Sequence, residues 1–169
     1  MATSRSAQGK SLYTEDERRR RDASRWTLVQ GILAPLQFLV FLVSLGLVLR
    51  YLVTGAGYEA ATISIVVKTL VLYAIMITGS IWEREVFGRY LFAPAFYWED
   101  VFSMLVLALH TAYILALLSG GLDPIGLMAL ALAAYGAYVI NAAQFLLKLR
   151  AARLEGVSRT QLPLAEAAQ

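Results

Sequence analysis

Four long apolar runs dominate the pattern of the chain. Residues 27–49, 101–122 and 124–147 contain no Asp, Glu, Lys or Arg, and residues 60–81 contain a single one, Lys68. About 20 apolar residues in a helix cross the ~30 Å hydrocarbon core of a bilayer, so each run is long enough to span it. The pattern predicts an all-α, polytopic membrane protein with four transmembrane helices, and it excludes a soluble fold.

The connections between these runs are short, which predicts an up-down bundle whose successive helices are antiparallel neighbours. Residues 120–124 (GGLDP) predict a tight turn between the last two spans. We divide the chain into a basic N-terminal arm (residues 1–25), a four-span membrane domain (26–149) and a polar tail (150–169). In the arm, Thr14 followed by three carboxylates predicts a capped helix start.

Basic residues set the expected orientation. The arm, the second connection and the tail together hold thirteen Lys and Arg residues, whereas the first and third connections hold one, Arg50. By the positive-inside rule, we expect both termini and the second connection in the cytoplasm. Because the basic residues flank spans, they indicate topology and not a nucleic-acid partner.

The amino-acid composition excludes several kinds of cofactor and metal site. The chain has no cysteine, which excludes disulfides, thiolate metal sites, iron–sulfur clusters and covalently attached haem. Its single histidine, His110, excludes bis-histidine haem held within one chain. We therefore expect a function that needs no cofactor.

Six ionisable or amide side chains lie inside the predicted spans, where burial in hydrocarbon is costly and a functional role is the first hypothesis. The amides commonly join spans by hydrogen bonds. Lys68 has two structural alternatives, pairing with a carboxylate or extending toward the membrane surface. His110, alone in the middle of a span, needs a partner, a metal, a cofactor or a proton-transfer role. The six are Gln30, Gln37, Lys68, His110, Asn141 and Gln144.

The second connection is the most distinctive segment. Its 19 residues from Trp82 to Asp100 include four carboxylates, two arginines and seven aromatic side chains. An aromatic belt at the water–lipid boundary and carboxylates that cap the next helix explain these residue types but not their density. Acids beside flat aromatic walls suit the binding of a large planar amphiphile and the transfer of protons to it.

Four segments carry a more specific signal: residues 26–38 (WTLVQGILAPLQF), 81–100 (IWEREVFGRYLFAPAFYWED), 109–113 (LHTAY) and 138–153 (YVINAAQFLLKLRAAR). Together they resemble the 3-vinyl bacteriochlorophyllide hydratase family of photosynthetic bacteria, over about residues 12–154. The resemblance implies addition of water to the C3 vinyl group of a chlorophyllide or bacteriochlorophyllide, giving a 1-hydroxyethyl group without a redox cofactor.

The resemblance also implies partners and a location. The partners are the pigment substrate, water and the lipid bilayer; a homo-oligomer and contact with other pigment-synthesis enzymes are compatible with it. The implied location is the bacterial inner membrane, either cytoplasmic or intracytoplasmic and photosynthetic.

Hydration of a vinyl group requires an acid that protonates its terminal carbon and a base that takes a proton from the attacking water. Two carboxyl groups can do both. We expect Glu83, at the end of the second span, and Asp100, at the start of the third, to form this pair. Neighbouring helix residues point about 100° apart, so only one of Glu99 and Asp100 should face inward. The other carboxylates of the connection should cap helices or pair with its arginines.

The same hypothesis assigns further contacts. His110 lies about 15 Å from Asp100 along the helix and is expected to ligate the pigment magnesium or to donate a proton. If the vinyl edge points inward instead, His110 becomes the acid. Arg89 is expected to hold the propionate, while Trp82 and Trp98 stack on the ring. The remaining candidates for substrate binding are Glu85, Glu99, Gln30, Lys68 and Asn141.

Two other functions fit the same residues. A non-catalytic tetrapyrrole carrier or assembly factor would use the aromatic connection and His110 without proton transfer. A small membrane transporter or channel subunit would use Lys68, His110 and the amides as a polar pathway. Hydration is the preferred hypothesis because the resemblance implies it.

Reporter fusions test the orientation. A phosphatase that is active only in the periplasm should be active when fused after Gly57 and inactive when fused after Gly88, because only the first connection is expected outside. An active fusion after Gly88 would contradict the orientation, and the hypothesis of a cytoplasmic-side site with it.

Overall fold

The structure, a computed structural model, describes the backbone of residues 12–166 and the side chains of residues 12–153. The described chain is all-α, with helices α1 (Glu15–Ala23), α2 (Arg25–Thr54), α3 (Tyr58–Phe87), α4 (Tyr97–Ser119) and α5 (Pro124–Glu166). Helices α2 to α5 are long and apolar enough to cross a membrane, which confirms the predicted four-span fold. Helix α5 continues beyond the predicted end of the fourth span, so residues 150–166 of the polar tail are helical.

The ends of the helices lie at residues that cap them. Thr14 Oγ1 accepts a hydrogen bond from the Glu17 N–H, and the Glu17 carboxylate accepts one from the Thr14 N–H. This capping box confirms the predicted start of α1. Gly120 ends α4 in a left-handed conformation (φ 63°) and Pro124 begins α5, which confirms the predicted tight turn.

The four spans pack as two antiparallel hairpins. Helix α2 packs most closely on α3, and α4 on α5, while the hairpins meet where α2 faces α5 and α3 faces α4. In the first hairpin, Gln30 Nε2 donates to Thr78 Oγ1 (2.7 Å), and the hydroxyl groups of Ser44 and Ser64 are 2.7 Å apart. The architecture is therefore the predicted up-down bundle.

Five aromatic residues cover the end of the bundle at which α3 stops and α4 starts. Phe96 is the centre of this aromatic cluster, with ring centroids 5.9 Å from Trp82 and Phe87, 5.8 Å from Phe145 and 6.2 Å from Tyr13. Tyr13 precedes α1, so the described part of the arm packs against the bundle, and burial raises the pKa of the Tyr13 phenol above the usual value. The cluster forms an apolar layer at this end of the bundle.

The capping box of α1 provides a test of how the arm is held. Thr14→Ala should destabilise α1 by about 0.5–2 kcal/mol, because it removes the acceptor for a first-turn N–H, and Thr14→Ser should preserve it. Hydrogen–deuterium exchange of the α1 amides measures the effect. Equal exchange in Thr14→Ala and the parent protein would contradict the role of this cap.

Candidate active site

Two buried carboxyl groups meet where the hairpins join. Glu83 lies in the last turns of α3 and Asp100 in the first turn of α4; the two residues are 5% and 3% exposed, and their carboxyl groups face each other at close range. A carboxylate offers only acceptors, so a hydrogen bond between two carboxyl groups requires a proton on one of them. Because two buried negative charges repel each other, this arrangement favours a single proton shared between the two groups, which would make one of them an acid and the other a base.

The backbone of the second connection completes this site. The Phe92 N–H donates to Asp100 Oδ2 (2.7 Å), and the Ala93 N–H donates to Glu83 Oε2 (3.3 Å). Phe92 has a φ of 58°, a left-handed conformation that costs a non-glycine residue about 1–2 kcal/mol. Its hydrogen bond to a carboxyl oxygen offsets that cost. The pattern of side chains carries no signal for these backbone donors, and the sequence analysis did not predict them.

Glu99 and Asp100 are both buried, so the expectation that only one of them faces inward is wrong. Asp100 faces α3, whereas Glu99 faces α5 and forms an ion pair with Lys148 (Nζ–Oε2 2.5 Å). The reason is that α5 continues past the level of this ion pair and covers a second face of the first turn of α4. Lys148 also lies 5.1 Å above the Phe96 ring, which fixes the ammonium group on two sides.

Glu85 and Glu99 do not take the arginine partners that were expected. Glu85 is exposed and its Oε2 accepts a hydrogen bond from Ser24 Oγ (2.7 Å), which joins α3 to the start of α2. Glu99 takes Lys148. Of the two arginines, Arg84 lies 4.6 Å above the Tyr90 ring and Arg89 is exposed. Ser24, between α1 and α2, and Lys148 of the long α5 supply the partners that these two carboxylates take instead.

The two candidate tryptophans lie in different environments. Trp82 donates its indole N–H to Thr27 Oγ1 (2.9 Å) and packs inside the aromatic cluster. Trp98 is 66% exposed and contacts the ring of Tyr97 edge to face. The structure therefore does not bring Trp82 and Trp98 together around one planar ligand.

Lys68 and His110 meet in the middle of the bundle. Lys68 is fully buried, and its Nζ lies 3.1 Å from His110 Nε2. It therefore neither pairs with a carboxylate nor reaches the membrane surface, and both structural alternatives expected for it are wrong. The rings of Tyr135 and Tyr138, with centroids 5.3 and 4.1 Å from Nζ, replace the expected carboxylate. The side chain is confined because helices pack around it on every side.

The hydrogen bonds of His110 define its tautomer. Its Nδ1 lies 2.8 Å from the Val106 carbonyl oxygen, which can only accept, so Nδ1 carries the proton and Nε2 accepts from Lys68. Both ring nitrogens are thus engaged. Ligation of a pigment magnesium by His110 would require the Lys68 contact to break.

The amide side chains inside the bundle have different hydrogen-bonding partners. Gln30 joins α2 to α3 through Thr78, and Asn141 Nδ2 donates to Ser103 Oγ (2.8 Å), which joins α4 to α5. Ser103 lies one turn inward from Asp100, so Asn141 is near the carboxyl pair, whereas Gln30 faces the first hairpin. In the described part of the chain, the side-chain oxygens of Asn141 and Gln144 and both amide atoms of Gln37 have no hydrogen-bonding partner.

Fold and site together define a multi-pass membrane protein with a buried carboxyl pair at one end of a four-span bundle. The profile of the 2-vinyl bacteriochlorophyllide hydratase family matches residues 13–151. A relative of that name from Cereibacter sphaeroides is 69% identical over 154 residues, covering 90% of this chain and 95% of the relative. Another relative of that name, from Rhodobacter capsulatus, is 69% identical over 149 residues, covering 88% of this chain and 86% of the relative. The chain belongs to the 2-vinyl bacteriochlorophyllide hydratase family.

These matches confirm the resemblance seen in the sequence and make the protein a membrane-embedded hydratase. The family name numbers the vinyl position 2, where the sequence resemblance was given as 3; both describe the addition of water to a vinyl group of bacteriochlorophyllide. No solved structure matches the chain.

The contribution of the Glu99–Lys148 ion pair to stability can be measured independently of activity. Lys148→Met should lower the free energy of unfolding in detergent by roughly 1–3 kcal/mol, because Glu99 would stay buried without its partner. Adding Glu99→Gln should recover part of that loss. If Lys148→Met and the double variant unfold alike, the two side chains are not energetically coupled.

Proposed function

We propose that this protein adds water to the vinyl group of a bacteriochlorophyllide, and that the Glu83–Asp100 pair carries out the reaction. Membership in the hydratase family supports the reaction. The close approach of the two buried carboxyl groups is the observation that supports the site, since a pair that shares one proton provides an acid and a base at one point.

The pair can perform both proton transfers. The protonated carboxyl gives its proton to the terminal carbon of the vinyl group, and the π electrons of the double bond form the new C–H bond. The adjacent carbon becomes a cation that is delocalised into the macrocycle. Water attacks this carbon and loses a proton to the ionised carboxylate. One carboxyl has then lost a proton and the other has gained one, so the pair again holds a single proton.

The surroundings of the pair suit an amphiphilic pigment. The aromatic cluster and the apolar spans surround the carboxyl groups, while exposed aromatic side chains of the second connection, Tyr90, Tyr97 and Trp98, offer flat faces beside them. Arg89, exposed on the same connection, is placed to pair with the propionate. By the distribution of basic residues, we assign this end of the bundle to the cytoplasmic side of the bacterial inner membrane.

Substitution of either acid tests the site. Glu83→Gln and Asp100→Asn should each lower turnover at least 100-fold while leaving pigment binding largely intact, since each removes a proton-transfer group and keeps its size. Glu59→Gln is the matched control, because Glu59 is an exposed carboxylate at the opposite end of α3. Chromatography of the pigment and incorporation of labelled oxygen from water measure the product.

The outcomes separate the proposal from its alternatives. Parent-like turnover in both acid variants would remove the pair from the mechanism. A pigment that the parent protein binds but leaves unchanged would indicate a carrier, and the lack of any pigment binding would favour transport.

A further inference from the structure

The two carboxyl groups of the pair lie at opposite kinds of helix end. Asp100 lies in the first turn of α4, where the unpaired N–H groups and the helix dipole stabilise a negative charge. Glu83 lies near the C-terminal end of α3, where the helix dipole gives a negative charge no such support. The two helices therefore favour ionisation of Asp100 over ionisation of Glu83.

The backbone donors of the second connection add to this asymmetry. The Phe92 N–H donates to Asp100 Oδ2 at 2.7 Å, a distance typical of a hydrogen bond to an ionised carboxylate. The Ala93 N–H donates to Glu83 Oε2 at 3.3 Å, which is longer than the usual N–H···O hydrogen bond. Asp100 thus receives the stronger of the two donors and the better support for a negative charge.

The charged neighbours of the pair do not reverse this order. Glu99 repels a negative charge on Asp100, but Lys148, which forms an ion pair with Glu99, acts on Asp100 in the opposite sense. The charged group that acts on Glu83 is Asp100 itself. Because like charges repel, an ionised Asp100 disfavours a second negative charge on Glu83 and keeps the proton there.

We infer that Glu83 holds the proton and is the acid of the proposed reaction, that Asp100 is the base, and that the Phe92 N–H fixes this division. The inference rests on the proposed function. Phe92 acts here as a positioning residue, since its N–H touches Asp100 and not the reacting atoms. Its left-handed conformation, unusual for a residue with a side chain, is what directs this N–H to the carboxylate.

This division also returns the site to its starting state. Glu83 gives its proton to the terminal vinyl carbon, and Asp100 takes a proton from the water that bonds to the adjacent carbon. The proton then lies on the carboxyl group that is better suited to be ionised. Since the two groups face each other at close range, the proton can pass directly from Asp100 to Glu83 before the next turnover.

Infrared spectroscopy with isotope labels locates the proton in the parent protein. A protonated carboxyl group has a C=O stretching band that an ionised one lacks. Glutamate labelled with heavy carbon in its carboxyl group should shift this band, whereas labelled aspartate should leave it in place. The glutamate-sensitive band should be lost in Glu83→Gln and should persist in Glu99→Gln, the matched control. A band that shifts with labelled aspartate would overturn the inference.

An amide-to-ester exchange at residue 92 tests the role of its N–H, because it replaces only that group by oxygen. The preference of the proton for Glu83 over Asp100 should fall by about 10- to 100-fold, the range for a hydrogen bond to a charged group. The band should then become sensitive to labelled aspartate. Phe92→Gly is the control, since glycine keeps the N–H and adopts a positive φ without cost. An unchanged band in the ester variant would overturn the role of Phe92.

Deuterium exchange separates the two roles during catalysis. In heavy water, Asp100→Asn keeps the acid, so reversible protonation should place deuterium on the terminal vinyl carbon of recovered substrate while hydration falls at least 100-fold. Glu83→Gln should lose both exchange and hydration, because no acid remains. Exchange that persists in Glu83→Gln, or is lost in Asp100→Asn, would overturn the inference.

Failure of the inference can be distinguished from failure of the proposed function. If the parent protein neither hydrates nor exchanges any vinyl pigment, but its carboxyl band still shifts with labelled glutamate, the proposed function fails while the position of the proton stands. If the parent protein hydrates the pigment and the band shifts with labelled aspartate, the proposed function stands and the division of roles fails.

Discussion

The meeting of two carboxyl groups in an apolar setting is the constraint on which the rest of this protein depends. Neither Glu83 nor Asp100 would be stable as an isolated buried charge, so their burial requires that they meet and that backbone donors reach them. The left-handed turn at Phe92, the aromatic cluster and the ends of α3 and α4 all serve that requirement. In the proposed reaction, hydration then needs little beyond delivery of the vinyl carbon to this point.

The membrane imposes a second constraint, which is that polar groups inside the bundle must find partners across helices. Gln30 with Thr78, Asn141 with Ser103 and Lys68 with His110 each join different elements. Such pairs determine which helices pack against each other, because apolar surfaces alone distinguish poorly between different helix arrangements in a bilayer. Among the described residues, the amide of Gln37 and the side-chain oxygen of Asn141 lack such a partner.

Much of the architecture could be predicted from the sequence because its causes are local. The lengths of the apolar runs predict the spans, Thr14 and its three carboxylates predict the start of α1, and Gly120 with Pro124 predicts a turn. The meeting of Glu83 and Asp100 was also accessible, since a short connection returns two helix ends to one side of the bundle.

The remaining features depend on packing between elements that are distant in sequence. That Lys68 contacts His110 follows from the register of one hairpin against the other, and that Glu99 is buried follows from the length of α5. The backbone donors of Phe92 and Ala93 depend on the path of an irregular loop, for which side-chain periodicity carries no information.

The buried lysine also constrains how the protein is made. When α3 first enters the bilayer, its ammonium faces hydrocarbon at a cost of about 2.5–3.5 kcal/mol. The imidazole that accepts from it belongs to α4, and the two tyrosine rings that surround it belong to α5. The first hairpin thus reaches its final stability only after the last span has been synthesised, so biogenesis couples all four spans into one cooperative unit.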